Sequence, residues 1–442
     1  MSEKTFYLVS LGCAKNTVDS HSMATLLQRA GYVAVDNPRQ AQFLIVNTCG
    51  FIQPAREESL RTLAKLAHNK RKGQMLIATG CLTQRYREQV AQEVPGIDGM
   101  LGTRRWMDIL DLVERLNARP PQPLYHLPDD ATVGRDERGV LRAAVQGVSA
   151  YLKIADGCRR PCAFCAIPLI KGTLVSRPME VILEEARQLQ ATGVKELILI
   201  AQDTTDYGHD LGMQDGLATL LENLIKVVPE IPWIRLLYTY PGAISDRLID
   251  LMASQPQILH YLDIPLQHAH PKILRRMRRP ANMEWVYRTI EKMRRAMPDL
   301  TIRSTFIVGY PGETEAEFQT LLDFLAEMRL DRVGAFTFSF ETGTASEPLG
   351  DPVPLEVKQD RYNRLMELQS KISLQIHQSL IGKNLTVLIE GSNRELSVGR
   401  SYRDAPEVDG LVLIPGQFDP GEMLTVTVDS ALPNDLIAHP TL

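Results

Sequence analysis

The sequence predicts a multidomain α/β protein: a doubly wound parallel sheet, then a partial (β/α)6 barrel, then a small antiparallel β-barrel at the carboxyl end. Three observations predict it. From residue 5 to about 117, short apolar runs alternate with segments of helical period. From about 149 to 380 the alternation returns with a longer beat, and beyond it the helical period is lost. With 442 residues and 44% hydrophobic content, the chain can build a core in each unit.

The elements follow in order. FYLVSLG, FLIVNT and MLIATG read as buried parallel strands. Between them TVDSHSMATLLQRAGY and PAREESLRTLAKLAHNK carry apolar residues at three and four spacing, the second opening with Pro54 in its first turn. RRWMDILDLVERLN closes the unit, with Trp106, Ile109, Leu110, Val113 and Leu116 on one face. Pro120, Pro121, Pro123, Pro128 and the polar DDATVGRDERG mark a linker near 118–148. AYLKIA, ELILIAQ, WIRLLY, LHYLDI, TIRSTFIVG and RVGAFTFSF are the six barrel strands, and a helical stretch follows each of the first five. A helix near 355–380, with Leu365, Leu368, Ile372, Ile376 and Leu380 in register, ends this unit before Gly382. NLTVLIEG, ELSVGRSY, GLVLIPG and MLTVTVDS form the small barrel, of the oligonucleotide-fold kind. Domains are therefore expected at 1–135, 149–380 and 381–442.

Lysine and arginine number 49 against 53 acidic residues, and the net charge of −4 gives no bulk electrostatic reason to coat nucleic acid. Residues 381–442 hold Lys383, Arg394, Arg400 and Arg403 against nine acids, so this module is near −5 and the rest near +1. The first residues lack the apolar run and cleavage site of a secretory signal, and no 18-residue apolar stretch could span a bilayer. A cytoplasmic protein with reduced thiols and no membrane partner is expected.

The six cysteines fall into two sets of three. GCRRPCAFC places Cys158, Cys162 and Cys165 at spacing C-x3-C-x2-C directly after AYLKIA, at the carboxyl end of a barrel strand where active sites lie. A short loop can wrap three thiolates around one iron–sulfur cube and leave the fourth iron without a protein ligand. Zinc is the competing reading, but its knuckles use C-x2-C pairs and four ligands. A disulfide would leave one thiol over. Cys13, Cys49 and Cys81 each sit one or two residues past a strand of the first unit, one βα turn apart, where open α/β sheets form their crevice. Three ordinary buried cysteines are the plain alternative. A second three-ligand cluster is the reading their equivalent positions favour.

With Phe164 before its last cysteine, the loop resembles the radical S-adenosylmethionine superfamily. Over nearly its whole length the chain resembles the methylthiotransferases within it. The matching stretches are LGCAKNTVDS, NTCGFI, TGCLTQRY, KIADGCRRPCAFCAIPLIKGTLVSRP, AQDTTDYG, YTYPGAISD, FIVGYPGETEAEF and FSFETGTAS, followed by a module resembling TRAM. The resemblance implies a transferase with two [4Fe-4S] clusters, each held by three cysteines, that replaces a C–H bond by C–SCH3. S-adenosylmethionine would serve as radical source and methyl donor, sulfide or polysulfide as co-substrate, and flavodoxin or ferredoxin as electron donor. A non-catalytic cluster carrier is the reading from another class, and it leaves the barrel without a purpose.

One branch of that family modifies isopentenylated adenosine in tRNA; the other modifies the β-carbon of an aspartate in ribosomal protein S12. His268 after Gln267, and Glu341 with Thr342, depart from the tRNA branch, and the acidic terminal barrel agrees because it would repel tRNA and attract a basic protein. S12, free or in the small subunit, is the expected partner, and tRNA is not. Gln202, Asp203, Arg303 and Gly309, at or just past predicted strand ends, are candidates for cofactor contact, with Gln267 and His268 as a substrate or cofactor pocket. Arg275, Arg276, Arg278 and Arg279 read as a contact surface for ribosomal RNA or as a solvated helix face. Lys171 stands where the family carries arginine.

Overall fold

The computed structural model describes residues 4–128 and 138–441. The middle of the predicted linker and the expected boundary at residue 135 lie outside the described residues. The first sheet is built of β1 (Thr5–Ser10), β2 (Val33–Ala34), β3 (Phe43–Thr48), β4 (Met75–Gly80), β5 (Gly99–Gly102) and β6 (Leu124–His126), all parallel, in the order β2-β1-β3-β4-β5-β6. The order reverses between β1 and β3, which makes the sheet doubly wound with its switch point there. Helices α1 (Ala14–Arg29) and α2 (Gln53–His68) are among those that cover it. β3 and β4 are buried at every position, as central parallel strands must be.

The second sheet runs β15-β14-β13-β12-β11-β8-β7 and does not close. Its six parallel strands, β8 (Ser149–Lys153), β11 (Glu196–Ile200), β12 (Trp233–Leu236), β13 (Ile258–Asp263), β14 (Thr301–Val308) and β15 (Arg332–Thr337), are the six read from the sequence. The sequence reading missed β7 (Ala143–Gln146), which pairs antiparallel with β8 and sits against α1 of the first unit. A two-stranded ribbon, β9 (Ala155–Asp156) with β10 (Val175–Ser176), frames the loop that carries Cys158, Cys162 and Cys165.

The last strands, β16 (Asn384–Ser392), β17 (Leu396–Ser401), β18 (Val412–Pro415), β19 (Met423–Ala431) and β20 (Leu436–Pro440), form a closed barrel. Buried charge locks it to the second sheet. The Glu196 carboxylate accepts from Arg400 and Arg235 at 2.6 Å each, and Tyr261 donates to Asp409 at 2.6 Å. Two arginines hold the Glu196 carboxyl down at about 2 against the cost of its burial. A single apolar cluster runs from Ala14 and Val18 of α1 through Tyr151, Ile198 and Tyr261 of the sheet to Leu388 and Ala405 of the closed barrel.

Candidate active site

Cys13 opens α1 directly past β1, Cys49 follows β3, and Cys81 begins the short helix α3 (Cys81–Arg85) past β4, so the first two flank the switch point. Two glycines let these strand ends converge. Gly12 has φ +95°, and a Cβ on it would lie 2.8 Å from the Cys49 Cβ; Gly80, at φ +102°, would place one 2.4 Å from Asn47 Oδ1. Asn16, which the sequence reading passed over, ties the three ends together. Its Nδ2 donates to the Leu11 and Thr48 carbonyls at 2.8 and 3.0 Å, and its Oδ1 lies 3.7 Å from the Cys81 thiol.

The second loop is clamped from outside. Arg159 pairs with Asp206 through two bonds of 2.7 Å, and Arg160 with Asp203 at 2.6 Å. Arg279 reaches Cys162 Sγ at 3.5 Å and also donates to the Pro265 carbonyl. Arg160 and Arg279 each lie 4.3 Å from the Tyr240 ring. Phe164 packs with Tyr310 and Phe338, which fixes the stretch before Cys165.

Two chains of contact join the two sets. Cys81 packs against Ala166 and Ile170, just past Cys165. Helix α4 (Ile167–Lys171) ends in Lys171, whose ammonium is 2.9 Å from Asp19 on α1. On the other side, Lys15 sits 3.1 Å from the Tyr238 ring, and Tyr240 of the same loop meets Arg279 at Cys162.

All six cysteines are free thiols. Burial pushes Cys81 and Cys165 up to about 12 and Cys158 up to about 11. For Cys13 the burial cost is overcome by the Lys15 charge and by backbone N–H groups, and its thiol lies below the ordinary value. Among the described residues no three His, Cys, Asp or Glu side chains close around one point as the ligands of a single ion do. A soft donor set of three thiols, braced from behind, fits an iron–sulfur cluster.

The other predicted site residues divide. The Oε1 atoms of Gln202 and Gln267 are buried and have no partner among the described residues, so both amides have acceptor capacity to spend on a ligand. Gln267 holds φ 73° and bridges Phe306 through its backbone. His268 is buried, with Nδ1 accepting from the His270 N–H at 2.9 Å and Nε2 3.8 Å from Glu313; burial lowers it to about 3, so the ring is neutral. The Asp203 carboxylate is spent on Arg160 and on capping Thr205. Gly309 lies just past β14, and a Cβ there would meet Lys358 at 2.4 Å. Arg303 corrects the sequence reading. It is the third residue of β14 and not at its carboxyl end, and it pairs with Asp263 at 3.0 Å and Asp409 at 3.5 Å of the closed barrel. Arg279 is likewise buried and is not part of an exposed basic face, whereas Arg275, Arg276 and Arg278 are exposed.

Glu341 is buried between units: Arg85 donates to it at 2.6 Å, Ser339 at 2.9 Å, Tyr86 at 3.1 Å and Arg56 at 3.5 Å. Arg85 also reaches the Gly50 carbonyl beside Cys49 at 3.4 Å.

Known proteins give the same picture. Residues 152–325 match the Radical SAM superfamily, residues 5–102 the uncharacterized protein family UPF0004 and residues 381–440 the TRAM domain. Among solved structures, the radical S-adenosylmethionine methyltransferase TsrM from Kitasatospora setae, with cobalamin and a [4Fe-4S] cluster bound, shares the fold. The TM-score is 0.57 at 13% identity, over 78% of this chain and 74% of that one. The chain is thus a radical S-adenosylmethionine enzyme with an added amino-terminal α/β unit and a terminal TRAM barrel. It is 49% identical to the ribosomal protein uS12 methylthiotransferase RimO of Chloroflexus aurantiacus, over 98% of both chains. It is 47% identical to that of Roseiflexus sp. and 44% identical to that of Synechocystis sp., each over 98% of this chain and 96% of the relative. The chain belongs to the family of ribosomal protein uS12 methylthiotransferases.

Proposed function

We propose that this chain adds a methylthio group to the β-carbon of an aspartate in ribosomal protein S12, in the cytoplasm, with Cys13, Cys49 and Cys81 holding one [4Fe-4S] cluster and Cys158, Cys162 and Cys165 a second. Sulfide or polysulfide is the sulfur source, and a flavodoxin or ferredoxin supplies electrons. The observation that carries the reading is the double contact between the two thiol sets, Cys81 on Ala166 and Ile170, and Lys15 through the Tyr238–Tyr240 loop to Arg279 and Cys162. When bound, S-adenosylmethionine at a reduced cluster supplies a radical that removes hydrogen from an unactivated carbon.

The protein's share is binding and orientation. Asp203 and Asp206 fix the arginines between Cys158 and Cys162, so the loop is shaped before anything binds. Gln202 and Gln267 offer unpartnered carbonyl oxygens for the donors of a ligand. His268 stays neutral and keeps net charge out of this pocket.

The terminal barrel supports S12 over tRNA. Arg400 and Arg403 turn inward to Glu196 and Asp331 at 2.6 and 2.5 Å. Glu390 pairs with Arg400 at 2.6 Å, and among the described residues of this module Glu395, Glu407, Asp419, Glu422 and Asp429 are then exposed against only Lys383 and Arg394. That surface suits a strongly basic protein and opposes phosphate. Mass spectrometry of S12 and of tRNA nucleosides from cells with and without the protein tests this. A methylthio group that disappears from the S12 aspartate is expected; one that disappears from isopentenylated adenosine overturns it.

A further inference from the structure

Among the described residues, four lysines are buried, and three of them hold a carboxylate: Lys153 and Lys171 share Asp19, and Lys358 meets Asp351. Lys15 is the fourth. It is 9% exposed and makes no ion pair among the described residues. Its Nζ rests on the Tyr238 ring, 3.1 Å from the centroid. Asp263, the carboxylate whose charge bears on it, is committed to Arg303 at 3.0 Å and to the Tyr238 N–H at 3.0 Å. An ammonium taken from water without a carboxylate in contact is costly; here the Tyr238 side chain and the charges of Cys13 and Asp263 outweigh that cost, and no carboxylate among the described residues meets the ammonium directly.

The platform beneath Lys15 is held in place. Tyr238 has φ 61°, a conformation that a bulky residue adopts only when its surroundings impose it. Asp263 grips its N–H, and its carbonyl accepts from the Thr204 N–H at 2.9 Å. The Lys15 charge bears on both Cys13 and Cys49, and the same loop continues to Tyr240, which is wedged against Arg160 and Arg279 beside Cys162. Lys15 therefore faces the boundary that both thiol sets share.

We propose that Lys15, braced on the Tyr238 ring, is the recognition group for the anionic sulfur co-substrate, a hydrosulfide or polysulfide, at the Cys13, Cys49 and Cys81 set. The assignment rests on the co-substrate reading given under Proposed function. An ammonium attracts any sulfur anion by charge and offers three N–H donors without demanding a fixed geometry. The neutral ring stabilises the cation without cancelling its charge, so the ligand has no carboxylate to displace. Lys171, on the far side of the same set, is spent on Asp19.

The test uses full-length protein reconstituted anaerobically with iron and sulfide, as wild type, Lys15→Met and Lys15→Arg. Iron content is measured, together with radiolabelled hydrosulfide bound beyond that of the clusters. Lys15→Met should keep about eight irons and bind the label about tenfold more weakly, the size of one lost charge-assisted bond, and Lys15→Arg should recover most of it. Wild-type label binding by Lys15→Met overturns the assignment, as does loss of half its iron, which would make Lys15 a support of the cluster itself. Should Lys15→Met not fold, Tyr238→Leu removes the brace and keeps the charge: weaker label binding is expected, and wild-type binding overturns the proposal. A wild-type protein that binds no extra label sinks the co-substrate reading instead, a separate failure.

Discussion

The Lys171 ammonium lies 2.9 Å from the Asp19 carboxylate, so the helix that Cys13 opens and the helix that follows Cys165 are joined by one buried ion pair. Arg142 and Lys153 donate to the same carboxylate at 2.5 and 2.8 Å, and Asp156 faces Lys153 at 2.6 Å. Lys171 is one of three buried cations on two carboxylates, so removing it breaks a buried charged bond but leaves Arg142 and Lys153 matched by Asp19 and Asp156.

Lys171→Met should therefore cost about 1.5–3 kcal/mol of stability, the size of one buried charged hydrogen bond, and Lys171→Arg, which keeps the charge, clearly less. Chemical denaturation of the metal-free protein checks this. Equal stability of Lys171→Met and wild type would show that Asp19 is satisfied by Arg142 and Lys153 alone.

Alanine at Cys158, Cys162 or Cys165 should abolish cleavage of S-adenosylmethionine. Alanine at Cys13, Cys49 or Cys81 should spare some cleavage and stop sulfur insertion. The 5′-deoxyadenosine formed and the methylthio product are measured side by side; equal loss of cleavage in both sets, with folding intact, contradicts the division of labour.

Glu341→Arg sets a third guanidinium beside Arg85 and Arg56 and forces apart the loops they anchor, one of which carries Cys49. The methylthio product should fall at least about tenfold while 5′-deoxyadenosine still forms, because a small displacement of one site against another is enough to uncouple them. Glu341→Gln should do less. Parallel loss of both products would mean that the variant damages the barrel and not the registration of the two units.

Glu196 sets a pH dependence. Its carboxyl lies near 2 in the folded protein against an ordinary value of 4.5, so the native state binds its proton less tightly than the unfolded chain does. The stabilisation is complete above about pH 4.5 and is lost as pH falls toward 2. Glu196→Gln should be less stable at neutral pH by about 3 kcal/mol, since Arg235 loses its charge partner and Arg400 keeps only Glu390, and should show a shallower acid slope. Urea denaturation at pH 7 and pH 4, about where the slope begins, reads both effects; an unchanged slope would assign the acid sensitivity elsewhere.

The repeating pattern of strand and helix was legible in the sequence because buried parallel strands are near-continuous apolar runs; β3 and β4 are examples. β7 was not, because AAVQ is short, at a sheet edge and half exposed, and it carries no alternation to read. The cysteines were legible by spacing and by their place after strands. Asn16 and Lys15 were not, because an amide and an ammonium on an amphipathic helix look like solvated residues until the sheet turns them inward. Arg303 was misplaced for a related reason: a polar residue inside a strand has no sequence mark telling which end of the barrel it serves, and its partners, Asp263 on the neighbouring strand and Asp409 of the terminal barrel, lie far from it in sequence.

The inward turn of Arg400 and Arg403 makes the carboxyl-terminal barrel something other than a detachable cartridge. Deleting it would strand Glu196 and Asp331 with fewer counter-charges and uncover Tyr261, so the catalytic unit has delegated part of its own folding to its neighbour. Transplanting a terminal module from a cousin would succeed only if those two guanidinium groups travelled with it, and that requirement couples any exchange of the module to the integrity of the scaffold.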